Sequence, residues 1–73
     1  MVFNILNKAV GYRKLLGLTQ KELADLYGIS IQAIYKKEKG LTAYNDKEKE
    51  ILRDLLREKV LPDITIDEIF FKK

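Results

Sequence analysis

Between Leu18 and Gly40 the chain reads LTQKELADLYGISIQAIYKKEKG, two stretches with helical apolar spacing, each introduced by a hydroxyl residue and parted only by Tyr27-Gly28-Ile29. Thr19 precedes Glu22 by three residues, the capping-box spacing in which side chain and backbone satisfy each other's exposed groups at a helix start. Ser30 is placed to cap the second stretch. Ala24, small and in the middle of the first helix, lets the second cross close to it, and Gly28 permits the unusual backbone of a tight turn. Leu23, Ile29 and Ile34 then fill the wedge between them. The segment therefore predicts two short helices packed across one another, the second running through Lys37 or slightly beyond and stopping near Gly40 after a charged run, Lys36-Lys37-Glu38-Lys39.

Apolar spacing and caps elsewhere extend this to an all-α chain, a compact bundle of about five helices in one domain spanning residues 1–73. A first helix is expected over residues 4–16, with Ile5, Leu6, Ala9, Val10, Tyr12 and Leu16 as its apolar positions and Gly17 as its stop. Asn45 caps a fourth over residues 46–59, where Ile51, Leu52, Leu55 and Leu56 form an apolar stripe and Asp46 and Glu48 suit the positive end of the helix. Pro62 closes that segment, and Thr65 with Glu68 sets up a second capping box for a last turn or two containing Ile66, Ile69 and Phe70.

Composition removes most chemistry. Without cysteine there is no disulfide framework, thiolate metal site or thiol nucleophile, and without histidine the commonest general base and metal ligand are missing. The acids of the fourth helix, Asp46, Glu48 and Glu50, do not share one face and alternate with Lys47, Lys49, Arg53 and Arg57, which reads as a solvated surface of charges three or four apart. No catalytic residue, metal, cofactor or small-molecule substrate is assigned. No apolar run reaches the roughly 18 residues of a membrane span, and Met1-Val2-Phe3 does not open a signal peptide, so the expectation is a cytoplasmic protein with no membrane partner. The net charge of +3 is unevenly spread: residues 1–41 hold seven bases against three acids, and residues 42–73 seven bases against eight acids. The basic excess lies in the half that carries the crossed helices, which suits a polyanionic partner.

Gly17-Leu18-Thr19-Gln20, Glu22-Leu23-Ala24, Gly28-Ile29-Ser30 and Glu38-Lys39-Gly40 resemble the Cro/CI-type helix-turn-helix family of phage and bacterial repressors, over about residues 10–40. The C-terminal ITIDEIFF is similar to the end of small phage-encoded regulators of that kind. The resemblance implies a lambda-repressor-like fold and a transcription regulator. It implies binding to double-stranded operator DNA, usually as a homodimer on a two-fold site, with the second motif helix in the major groove.

It also implies residue roles. Gln20 stands where the family holds a phosphate and braces the recognition helix. Ser30 caps that helix and joins the contacting set. Gln32 occupies a base-reading position, and its amide can give and accept one hydrogen bond each with adenine. Ile31 occupies another; it cannot hydrogen-bond, so it senses a thymine methyl or adds to an apolar patch. Tyr35 and Lys36, a turn further on, reach a base edge or a phosphate, Lys36 favouring phosphate, and Lys39 grips the rim of the groove. Arg13 and Glu38 match positions of a structural ion pair joining the first helix to the end of the third. Lys37 departs from the family, which mostly has an aromatic or aliphatic residue there; its stem is expected over the core with its head in water, leaving the helix end less firmly anchored.

The apolar C-terminus exceeds what a short helix buries, and adjacent Phe70 and Phe71 cannot both point inward. One of them is expected at a protein interface, in a homodimer or with a partner repressor. That surplus, with Ile31 and Lys37, also permits a different role, a modulator that works by binding a partner phage repressor.

Overall fold

The structure is a computed structural model that describes residues 8–71. Its elements are α1 (Lys8–Leu15), α2 (Gln20–Tyr27), α3 (Ile31–Glu38), α4 (Asp46–Lys59) and a π-helix over Asp67–Phe71; among the described residues there is no strand. The all-α expectation holds. The predicted start of the first helix, before Lys8, lies outside the described residues.

Local chemistry sets the ends of these elements. Glu22 N donates to Thr19 Oγ1 at 3.0 Å while Thr19 N donates to Glu22 Oε1 at 2.8 Å, the reciprocal box that opens α2. Gly28 closes α2 at φ 75°, and its N–H reaches back to the carbonyls of Ala24 and Asp25. Two residues later Ser30 Oγ accepts from Ala33 N at 3.1 Å and opens α3. Helices of eight residues are too short to persist alone in water, so α2 and α3 depend on these caps and on each other. Leu23, Ala24 and Ile34 are buried between them, with Leu18, Tyr27 and Ile29 packed around.

A second cluster forms where α4 lies against α1 and the C-terminal segment: Ala9, Leu52, Leu56, Ile64 and Ile69, bordered by Tyr12, Leu16, Tyr44, Leu61 and Phe70. Arg57 Nε donates to Ile64 O at 2.7 Å across the Pro62 turn, and Thr65 and Glu68 form the expected box before the π-helix, with Glu68 N to Thr65 Oγ1 at 3.2 Å. Phe70 is partly buried and packs on this cluster, its ring 5.0 Å from that of Tyr44. The side chain of Phe71 lies outside the described residues.

Two expectations are corrected. Glu48 is not part of a solvated face: it is buried, its backbone N–H bonds to Asn45 Oδ1 at 2.8 Å, and its Oε1 accepts from Asn45 N at 2.9 Å. Lys37 does not end in water. Its ammonium lies 3.1 Å from Glu48 Oε1 and donates to Ala43 O at 2.8 Å, because the capping box turns the Glu48 carboxylate inward and an uncompensated buried charge would be costly.

The hydroxyls of Tyr27 and Tyr44 are buried with no hydrogen-bond partner among the described residues. Burial pushes the Tyr27 phenol above its usual range, and Tyr44, Glu48 and Glu38 add to the effect. Burial does the same to Tyr44, with Glu38 and Glu48 adding and Arg13 opposing. Both stay protonated while the unfolded chain's phenols ionise near about pH 10. Their contribution to stability is therefore complete below that pH and declines as pH rises beyond it. Urea titrations should show Tyr27→Phe and Tyr44→Phe at least as stable as the parent at neutral pH, since each removes an unsatisfied hydroxyl, and less sensitive than the parent between about pH 10 and 12. At Gly28 a methyl would meet no atom within 4 Å, so Gly28→Ala carries only the cost of the left-handed backbone, about 1–2 kcal/mol. Thermal unfolding should shift down by about 4–16 °C.

Candidate nucleic-acid interface

Helical geometry divides α3 into two faces. Ile34 is fully buried against α2, and the opposite side presents Ile31 at 41% exposure, Tyr35 at 51%, and the exposed Gln32 and Lys36. Ile31, Tyr35 and Lys39 follow one line at four-residue spacing, and Gln32 and Lys36 form the adjacent line. The surface thus carries an apolar ridge beside a polar one. Lys39 Nζ sits 5.4 Å from the centroid of the Tyr35 ring, a cation–π geometry that leaves the ammonium at the open side of the ridge. Ser30 Oγ is engaged in capping α3.

Behind this face the helix is fixed by a carboxylate. Glu38 and Arg13 have side-chain exposures of 7% and 9%; Arg13 Nε bonds to Glu38 Oε2 and Nη2 to Oε1 at 3.1 Å. Arg13 Nη1 also donates to Leu18 O at 2.8 Å, and Gln20 Nε2 donates to Glu38 Oε1 at 2.9 Å. One buried carboxylate therefore joins the end of α3 to α1 and to the first residue of α2, and one arginine holds the linker between those two helices. Val10, Gln20, Tyr35, Glu38 and Lys39 line a shallow depression at this junction, which brings Gln20 and Lys39 to one place on the surface.

The side chains that sequence reasoning singled out on α3 thus share one outward face, with Gln20 at its edge and the Arg13–Glu38 pair behind it. Phe70 lies apart from this face, partly buried against the other cluster. What the sequence reading missed is the buried group next to the pair: Lys37, Glu48, Tyr27 and Tyr44. A signal for Glu48 was present in Asn45-x-x-Glu48, the same box spacing recognised at Thr19 and Thr65. Nothing in Lys36-Lys37-Glu38-Lys39 marks Lys37 as a lysine that turns inward.

Among the described residues no helix is long and apolar enough to cross a membrane, and no group of three or more acidic side chains could hold a metal ion.

Comparison with known proteins places this geometry. No curated protein and no solved structure matches the chain. A helix-turn-helix family model matches residues 12–60, from the middle of α1 through α4, and so covers the crossed pair, its arginine–glutamate brace and the helix behind them. The chain belongs to this helix-turn-helix family, of Cro/CI type, whose members are DNA-binding regulators of transcription.

Proposed function

We propose that the protein is a Cro-like repressor, of the kind that serves a phage lysis–lysogeny switch, acting in the cytoplasm by occupying an operator. The observation that carries this reading is the outward face of α3, where Ile31, Gln32, Tyr35 and Lys36 stand together on a helix held by the buried Arg13–Glu38–Gln20 network. Such a helix enters the major groove with its first turn on base edges. Gln32 is then the hydrogen-bonding reader, and Ile31 supplies apolar contact to a thymine methyl. Lys36 and Lys39 neutralise phosphates, and Gln20 at the N-terminal end of α2 adds a phosphate contact beside Lys39. One monomer spans half of a two-fold site, so operator occupancy calls for a homodimer.

The exposed apolar Ile31 also favours a second reading, a modulator that binds a partner repressor and reads DNA only as half of a mixed complex. A gel shift on the flanking intergenic DNA separates the two: a shift by the protein alone fits the repressor, and a shift only with the neighbouring gene's product fits the modulator.

For the repressor, a site selected from random duplexes and titrated by fluorescence anisotropy gives two expected outcomes. Gln32→Ala should lose about 1–3 kcal/mol of preference for the selected site over a scrambled duplex. Lys36→Ala should weaken both duplexes alike and flatten the logarithmic salt dependence by about 0.9. Equal losses on both duplexes for Gln32→Ala would count against base reading. Replacing thymine by uracil in the selected site, which deletes only the methyl, should weaken the parent protein, and Ile31→Ala should no longer distinguish the two sites. A parent that binds both equally would remove Ile31 from the reading set.

A further inference from the structure

Lys37 and Glu38 are consecutive, opposite in charge and both nearly buried, yet their partners come from different helices. Glu38 turns to Arg13 on α1. Lys37 turns to Glu48 on α4, with side-chain exposures of 12% and 4% at a separation of 3.1 Å. The same ammonium donates to Ala43 O at 2.8 Å and lies 5.8 Å from the centroid of the Tyr44 ring, which rests in turn on Phe70. Glu48 Oε1 is also held by the Asn45 N–H, so the carboxylate cannot swing to follow a moving lysine without giving up its half of the capping box. The lysine thereby spans the loop between α3 and α4, gripping both its far end and the helix beyond.

From this geometry, and resting on the DNA-reading role proposed above, we infer that Lys37 and Glu48 are positioning residues for operator recognition. They form a second latch on the recognition helix that fixes its last turn and the following loop against α4. Neither touches the nucleic acid. The latch acts on the segment that carries Lys39, whose amide bonds to Tyr35 O at 3.0 Å, and on Gly40 and Leu41, whose amides bond to Lys37 O at 3.1 Å and Lys36 O at 2.9 Å. With the Arg13 brace pulling on residue 38 and the Glu48 latch on residue 37, α3 is held from two sides and its tilt in a groove is set before DNA arrives. Lys37 is therefore separated from Lys36 and Lys39 by function as well as burial: those two spend their charge on phosphate, and Lys37 spends its charge inside.

The test uses the full chain with Lys37→Met and Glu48→Gln combined. The pair of changes leaves no lone buried charge, keeps the lysine's apolar stem and retains an oxygen to accept from the Asn45 N–H, so the variant should keep the parent's helix content by circular dichroism. On the selected and scrambled duplexes, the expected result is a preference reduced about tenfold, the equivalent of one good base contact, with an unchanged salt slope. In the free protein, amide exchange at Lys39, Gly40 and Leu41 should be faster than in the parent, and exchange in α2 unchanged. A salt slope lowered by about 0.9 would make Lys37 a phosphate contact and overturn the inference. So would a variant with the parent's preference or the parent's exchange at those three amides. A parent chain with no preference for any duplex defeats the DNA reading and leaves the latch to the exchange measurement, where faster exchange supports it and unchanged exchange overturns it.

Discussion

The carboxylate of Glu38 is the constraint on which the rest of the arrangement depends. A buried carboxylate is tolerable only when its oxygens are filled, and here Arg13 takes both and Gln20 shares one. Removing one member of such a group typically costs about 3–5 kcal/mol, because the other charge is left without compensation, whereas the intact pair adds little net stability over an apolar pair. What the group provides is therefore geometry. Arg13 lies on α1, Gln20 opens α2 and Glu38 ends α3, so three helices must meet at one angle for the carboxylate to be satisfied.

That specification matters because the apolar contribution alone is divided. Leu23, Ala24 and Ile34 form one small cluster and Ala9, Leu52, Leu56, Ile64 and Ile69 another. Small apolar contacts between two eight-residue helices tolerate some sliding, since hydrophobic burial is not directional. Hydrogen-bonded charges do not tolerate it. The polar group that joins α1, α2 and α3 thus supplies the directional restraint that each cluster lacks.

The elements and the outward face of α3 were legible because local chemistry determines them. Thr19, Ser30, Asn45 and Thr65 announce helix starts by spacing, Gly28 announces a left-handed turn, and the inward direction of Ile34 fixes the outward direction of Ile31, Gln32, Tyr35 and Lys36 by helical period alone. Even the Arg13–Glu38 pair, 25 residues apart, was readable, through family resemblance and not through local pattern. Lys37 and Glu48 were not, since a lysine in a run of charges and a glutamate among lysines both carry the signature of a solvated surface. Only the approach of the end of α3 to the start of α4 brings them together, and that is a tertiary fact. Tyr27 and Tyr44 were hidden for a related reason: their rings read as ordinary core, and nothing in the sequence says that their hydroxyls enter it beside two carboxylates.

A lysine at a position where the family resemblance implies an apolar residue has a physical logic. An apolar side chain at residue 37 would anchor α3 by burial, which holds a helix down but fixes its rotation weakly. A lysine must place its ammonium at one point, and that point is the capping oxygen of α4. The exchange gives up some transfer free energy for a defined direction, as buried polar pairs do elsewhere when they set register more than stability. It also ties the end of α3 to α4, and a run of contacts continues from Lys37 through Tyr44 to Phe70 in the C-terminal π-helix, linking the far end of the chain to the helix that presents Ile31, Gln32, Tyr35 and Lys36.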